Sequence, residues 1–152
     1  MSKRISYKGT IAIGEQESIS LKTNTGKTGY RIVKFNVIGV TPMKTDQSII
    51  GQVFKTDQTG SITDNVNFTD SDLLAVATYE DTNSKELPNS NHIIFDNEKF
   101  NQDIFITATD ADGNTTPMNY YLELEAMPLS DLEATFLTMQ NIRQITAPSG
   151  NV

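Results

Sequence analysis

The chain has 152 residues and a mass of 16.8 kDa, enough for one domain that buries roughly 70% of the surface its unfolded form exposes. Nineteen acidic against twelve basic residues give a formal charge of -7, which opposes attraction to phosphate backbones and excludes a nucleic-acid partner from the expected function. Cysteine is absent, so disulfides, thiolate nucleophiles and cysteine-type zinc sites are excluded as well.

No apolar run approaches the 18 or more residues of a membrane helix, and the basic opening returns to polar residues where a signal peptide needs an apolar stretch. The expectation is a soluble chain with no membrane association. Only 20% of residues are charged, and Asn, Thr, Ser and Gln supply much of the polarity, which suits extended hydrogen-bonded contact.

Residues 10–13 and 17–21 alternate apolar and polar side chains, the period of half-buried strands, with Gly14 marking the turn between them. The segment from Tyr30 to Val40 is rich in β-branched and aromatic residues and follows the turn Thr25-Gly26-Lys27-Thr28-Gly29, so it is expected as a strand. Residues 48–54 and 73–79 read as further strands around a polar loop, with a short strand at 65–68. Residues 81–91 form a loop punctuated by Pro88, and His92-Ile93-Ile94-Phe95 follows as a short strand. Residues 103–109 and 118–125 flank Asp110-Ala111-Asp112-Gly113-Asn114, where Asp-Gly predicts a tight turn and hence a hairpin.

The pattern changes after Pro128. Ser130-Asp131-Leu132-Glu133 matches a capping box, and Leu132, Phe136, Met139 and Arg143 fall on one face of a helix expected over about 130–141. That face is expected to pack against the sheet edge or a partner. About eight strands and one short C-terminal helix imply an all-β fold, a jelly roll or another antiparallel β-sandwich, with an immunoglobulin-like sandwich as the rival. A single domain over 1–145 and a flexible tail over 146–152 complete the expectation.

Four groups of residues invite a chemical reading. Gly26-Lys27-Thr28 contains the end of a phosphate loop, but Leu21 stands where the first glycine belongs and a strand follows where a helix is required. Asp110, Asp112 and Asn114 resemble part of a calcium loop, yet Thr115 and Tyr121 occupy the positions of its glycine and bidentate glutamate, and a turn explains Asp-Gly without metal. His92 has no recognisable nucleophile or acid partner motif. Glu123 and Glu125 share one strand face opposite Leu122 and Leu124, which reads as a solvated or contact surface before it reads as a glycosidase pair. No catalytic residue, cofactor or metal is therefore expected. Of the adjacent Tyr120 and Tyr121, one should face inward and the other outward as a contact anchor.

The stretches Gly9-Thr10-Ile11-Ala12-Ile13-Gly14-Glu15, Thr28-Gly29-Tyr30-Arg31-Ile32-Val33-Lys34-Phe35 and Asn119-Tyr120-Tyr121-Leu122-Glu123-Leu124-Glu125, with Ile94-Phe95-Asp96-Asn97-Glu98-Lys99-Phe100-Asn101-Gln102-Asp103-Ile104-Phe105 and the closing Leu132-Glu133-Ala134-Thr135-Phe136-Leu137-Thr138-Met139-Gln140-Asn141-Ile142-Arg143, resemble small proteins encoded by marine tailed bacteriophages. The resemblance implies a virion structural role without catalysis. Within it, the expectation is a capsid decoration or cement protein, assembled in the host cytoplasm and seated on the capsid surface. There it would bridge major capsid subunits or other virion proteins as a homo-oligomer, a trimer being one candidate. Alternatives are a carbohydrate-binding module on a fibre or capsid, and a head-tail, tail or minor capsid component. The expected contact residues are Lys3, Arg4 and Tyr7 of the N-terminal arm, one of Tyr120 and Tyr121, and Leu132 and Phe136 of the helix.

Overall fold

The computed structural model describes residues 3–42, 46–81, 89–95 and 98–146. Eight strands precede one helix: β1 (Lys3–Ile11), β2 (Gln16–Ile19), β3 (Thr28–Gly39), β4 (Gln47–Phe54), β5 (Leu73–Asp81), β6 (Asn89–Ile94), β7 (Ile104–Asp110), β8 (Met118–Pro128) and α1 (Asp131–Thr146). They form two antiparallel sheets, one of three strands in the order β1-β8-β3 and one of five in the order β2-β7-β4-β5-β6. Strand 1 thus pairs with 8, 2 with 7 and 4 with 5. Where 3 should pair with 6, Tyr30 makes an antiparallel bridge with Phe100, just beyond β6. The pairing follows that of a jelly roll except that β6 joins β5 in the larger sheet instead of pairing with β3, and the fold is the expected all-β antiparallel sandwich with a C-terminal helix.

The sandwich closes because the strands alternate. Along β8, Met118, Tyr120, Leu122 and Leu124 point inward and are buried, while Asn119, Tyr121, Glu123 and Glu125 point outward. Phe35, Ile49, Val53, Ile104 and Ile106 meet them between the sheets, all fully buried. Each such side chain contributes roughly 1.5–3 kcal/mol by leaving water. Gly51 in the central strand makes room for this packing. A Cβ there would lie 2.8 Å from Val37 Cγ1 and 3.2 Å from Phe35 Cζ.

Several expectations are corrected. The N-terminal arm is a strand, with Lys3 to Ile11 paired along β8. Residues 65–68 form no strand. They belong to a loop laid over the five-stranded sheet, where the buried Gln52 donates to the carbonyls of Thr63 and Asn65 and Phe68 packs edge-on against Phe95.

Residues 103–109 and 118–125 form no hairpin, because β7 pairs with β2 and β4 whereas β8 pairs with β1 and β3. The Asp-Gly turn exists, with Gly113 at φ 78 and its amide donating to the Asp110 carbonyl. However, Asp110 Oδ1 ties that turn to β4 by accepting from the Ser48 amide, and the chain then crosses to the opposite sheet. The expected loop over 81–91 shrinks from both sides, since β5 runs to Asp81 and β6 starts at Asn89; residues 82–88 lie outside the described residues. The helix extends to Thr146, and residues 147–152 of the expected tail lie outside the described residues.

Candidate interaction surfaces

Helix α1 starts where the capping box places it. The Ser130 amide donates to Glu133 Oε1 at 3.2 Å, and the Glu133 amide donates to Ser130 Oγ at 3.2 Å. Asp131 and Glu133 stand in the first turn, where the helix dipole favours negative charge, and each meets a lysine, Lys27 at 2.8 Å and Lys99 at 3.3 Å. Both carboxyls are held below their ordinary range, Asp131 by the Lys27 hydrogen bond and Glu133 chiefly by the Ser130 amide.

The face that moors the helix is small and polar. Ala134 is buried, and Asn101, 1% exposed, donates through Nδ2 to Gly26 O and Thr138 Oγ1, both at 2.9 Å, and to Ala134 O at 3.4 Å. Gly26 holds φ 67, which lets its carbonyl meet Asn101. The expected apolar face is real and does not meet the sheet edge. Leu132, Phe136, Met139 and Ile142, at i, i+4, i+7 and i+10, are 80%, 63%, 57% and 55% exposed. Leu132 and Phe136 therefore pack on no described part of the chain. Arg143 lies in the last turn, and its side chain is outside the description.

On the outer face of the three-stranded sheet, charges pair across strands. Arg4 meets Glu123 at 2.7 Å and Arg31 meets Glu125 at 2.6 Å. The Arg4 hydrogen bond, and then that of Tyr121, keeps the Glu123 carboxyl below its usual range. The two glutamates share the expected face, bound to arginines in the manner of a salt-bridged surface. Lys3 and Arg4 are exposed as expected, but Tyr7 is only half-exposed, since with Ile5 it turns inward and packs on the core.

The tyrosine pair divides as the alternation requires. Tyr120 is buried, and its hydroxyl donates to Glu17 across the sandwich; burial, and secondarily that carboxylate, pushes its pKa far upward. It is the inward member of the pair. Gly9 lies against its ring, where a Cβ would come within 2.9 Å of Cε2. Tyr121 faces outward, donates to Glu123 Oε1 at 3.1 Å and carries Lys34 Nζ 5.8 Å from its ring centroid.

Tyr121 also lines a groove of about 920 Å³ with Lys8, Asn36, Asn119, Ser90 and His92. The groove follows from the unequal sheets. Ser90 and His92 pair with Tyr79 and Ala77 and so share the inward face of their sheet. The three-stranded sheet ends at β3, which leaves β6 overhanging and the side chains of Ser90 and His92 exposed. The histidine that resisted a catalytic reading is a rim residue of this recess.

One side-chain oxygen each of Asp110, Asp112 and Asn114 is taken by hydrogen bonds within the turn or to β4, while Asp110 Oδ2 is buried without one among the described residues. Asp110 Oδ1 accepts from the Ser48 and Asp112 amides, Asp112 Oδ2 accepts from Ser48 Oγ at 2.8 Å, and Asn114 Oδ1 caps the Thr116 amide. Among the described residues no three His, Cys, Asp or Glu side chains are placed to hold a metal ion, and no helix is long and apolar enough to cross a membrane. Gly26-Lys27-Thr28 turns into β3, a strand. Residue patterns had no means of finding Asn101, since one buried asparagine carries no periodic signal. No protein-family model matches the chain, and no curated protein matches it.

Proposed function

We propose that the protein is a non-catalytic virion structural protein that decorates a phage capsid and bridges major capsid subunits by non-covalent contact. The observation that carries this reading is the apolar stripe of α1, in which Leu132, Phe136 and Met139 turn to water from a helix that is capped at its start and moored through Ala134 and Thr138. Exposed apolar stripes of this kind mark protein interaction sites, and a rigid mooring removes the ordering cost that a loose helix would add on binding. The sandwich supplies a stiff body whose core is closed between its own sheets, which leaves Leu132, Phe136 and Met139 on the surface for a partner. In a shell of many identical copies each such interface contributes modestly, and the sum stabilises the assembled state by linkage.

Electron cryomicroscopy of purified particles of the source virus tests the reading. The expected result is this chain in many symmetric copies over the capsid lattice with α1 at a subunit interface. Confinement to the tail or a single vertex, or absence from particles, overturns it.

A further inference from the structure

Two rows of side chains stand on the outer face of the three-stranded sheet. Lys8, Tyr121 and Asn36 are in register across β1, β8 and β3, and so are Thr10, Asn119 and Ile38. Between them runs a floor of backbone at Gly9, Tyr120 and Val37, and beyond the β3 edge the recess continues under Ser90 and His92. We propose that this cross-strand groove binds a short oligosaccharide.

Its volume, about 920 Å³, is at the upper end of the roughly 300–1,000 Å³ of small-ligand sites. Its chemistry is that of a sugar site. Asn36, Asn119, Thr10 and Ser90 offer amides and hydroxyls, which donate to and accept from sugar hydroxyls, and the Tyr121 ring offers a face to the apolar C–H side of a pyranose. Parts of the site are already set. Thr10 Oγ1 donates to Asn119 Oδ1 at 2.6 Å, orienting that amide, and the Glu123 hydrogen bond and Lys34 fix the Tyr121 ring. Held in place before binding, these groups lose little entropy when a ligand arrives.

Among the described residues the twelve that line the groove include Lys8 and His92 and no carboxylate, so neutral and carboxylated sugars are both candidates. A peptide adding itself as a strand would lie along the β3 edge. It would leave the wall formed by Lys8 and Thr10 untouched, whereas a ligand crossing the strands uses the whole groove. The inference does not depend on a capsid location. Residues 36–38 and 119–121 lie toward the end of β3 and β8 away from α1, so the groove and the apolar stripe occupy different parts of the molecule.

Saturation-transfer NMR on the full chain tests the proposal with maltotetraose, cellotetraose, xylotetraose, chitotetraose and trigalacturonate as probes. At least one probe is expected to bind with a Kd of about 1 mM or tighter. Tyr121→Ala is expected to weaken that binding about tenfold and Asn119→Ala to weaken it measurably, whereas Tyr121→Phe and Phe136→Asp retain it. Melting curves establish that each variant is folded. Failure of every probe with the native chain overturns the proposal, as does binding that survives both Tyr121→Ala and Asn119→Ala. Amide shifts along the β3 edge with a strand-forming hexapeptide, and none with any sugar, would assign the groove to strand addition instead.

Discussion

Asn101 and Thr138 are joined by a hydrogen bond of 2.9 Å that fastens the C-terminal helix to the loop carrying Gly26. Replacing Asn101 by leucine removes the donor from buried acceptors and forces an apolar branch against them. The expected cost is about 1–3 kcal/mol in chemical denaturation, with faster amide exchange across α1 before any change in the sheets.

Removing the helix cap has a smaller and more local effect. Ser130→Ala is expected to cost about 1 kcal/mol, and Ser130→Asn to cost far less, because asparagine also accepts the Glu133 amide. Thermal melts of the two variants beside the native chain check the order.

Acid weakens the helix start and the outer face of the three-stranded sheet, and the sign follows from the direction of the shifts. Glu133, Asp131 and Glu123 have folded-state pKa values below their unfolded ones. Their contribution is fully present above the unfolded range, about pH 4, and disappears as pH falls through the folded values. Melting temperature should therefore decline below about pH 4, and Glu133→Gln should flatten part of that decline. A pH series of melts on both chains is the measurement.

The centre of the sandwich tolerates no added volume. Gly51→Ala is expected to destabilise by about 1–3 kcal/mol, since its Cβ would press on Val37, Met118 and Phe35 at once. Gly60→Ala adds a Cβ that meets nothing, so its cost comes only from the positive φ of 82. Urea midpoints should separate the two.

The apolar stripe of α1 separates binding from folding. Phe136→Asp places a charge where 63% of the residue already meets water, so stability should change by no more than about 0.5 kcal/mol. Incorporation into particles, or association measured by sedimentation, should be lost.

Much of the fold is legible in local pattern. The alternation of Met118, Tyr120, Leu122 and Leu124 with Asn119, Tyr121, Glu123 and Glu125 announces β8 and its inner face, and Ser130 with Glu133 announces the helix start. What escapes is partner choice. Asp112-Gly113 reports a turn but says nothing of which sheet the chain enters next, and here Asp110 binds β4 and redirects it.

Val66 and Phe68 look like a strand because they are apolar and alternate, yet Gln52 has already taken the neighbouring carbonyls. Lys3 and Arg4 hide an edge strand behind charge that Glu123 later balances. The pattern places Leu132 and Phe136 on one helix face and leaves open whether that face meets the sheet edge or a partner. A single buried amide, Asn101, holds the Ala134 and Thr138 side of the helix to the sheet, so the apolar face is not the one that docks there.

The nested pairing of strands also governs when the molecule can form. Arg4 and Glu123, partners across β1 and β8, are 119 positions apart in the chain. Closing so long a loop carries its entropic cost before any compensating contact appears, which places folding in the slow range of milliseconds to seconds. During synthesis β1 has no strand neighbour until β8 has emerged. Lys3, Arg4 and Lys8 place three positive charges along that edge, a feature that disfavours pairing with another copy of the same strand.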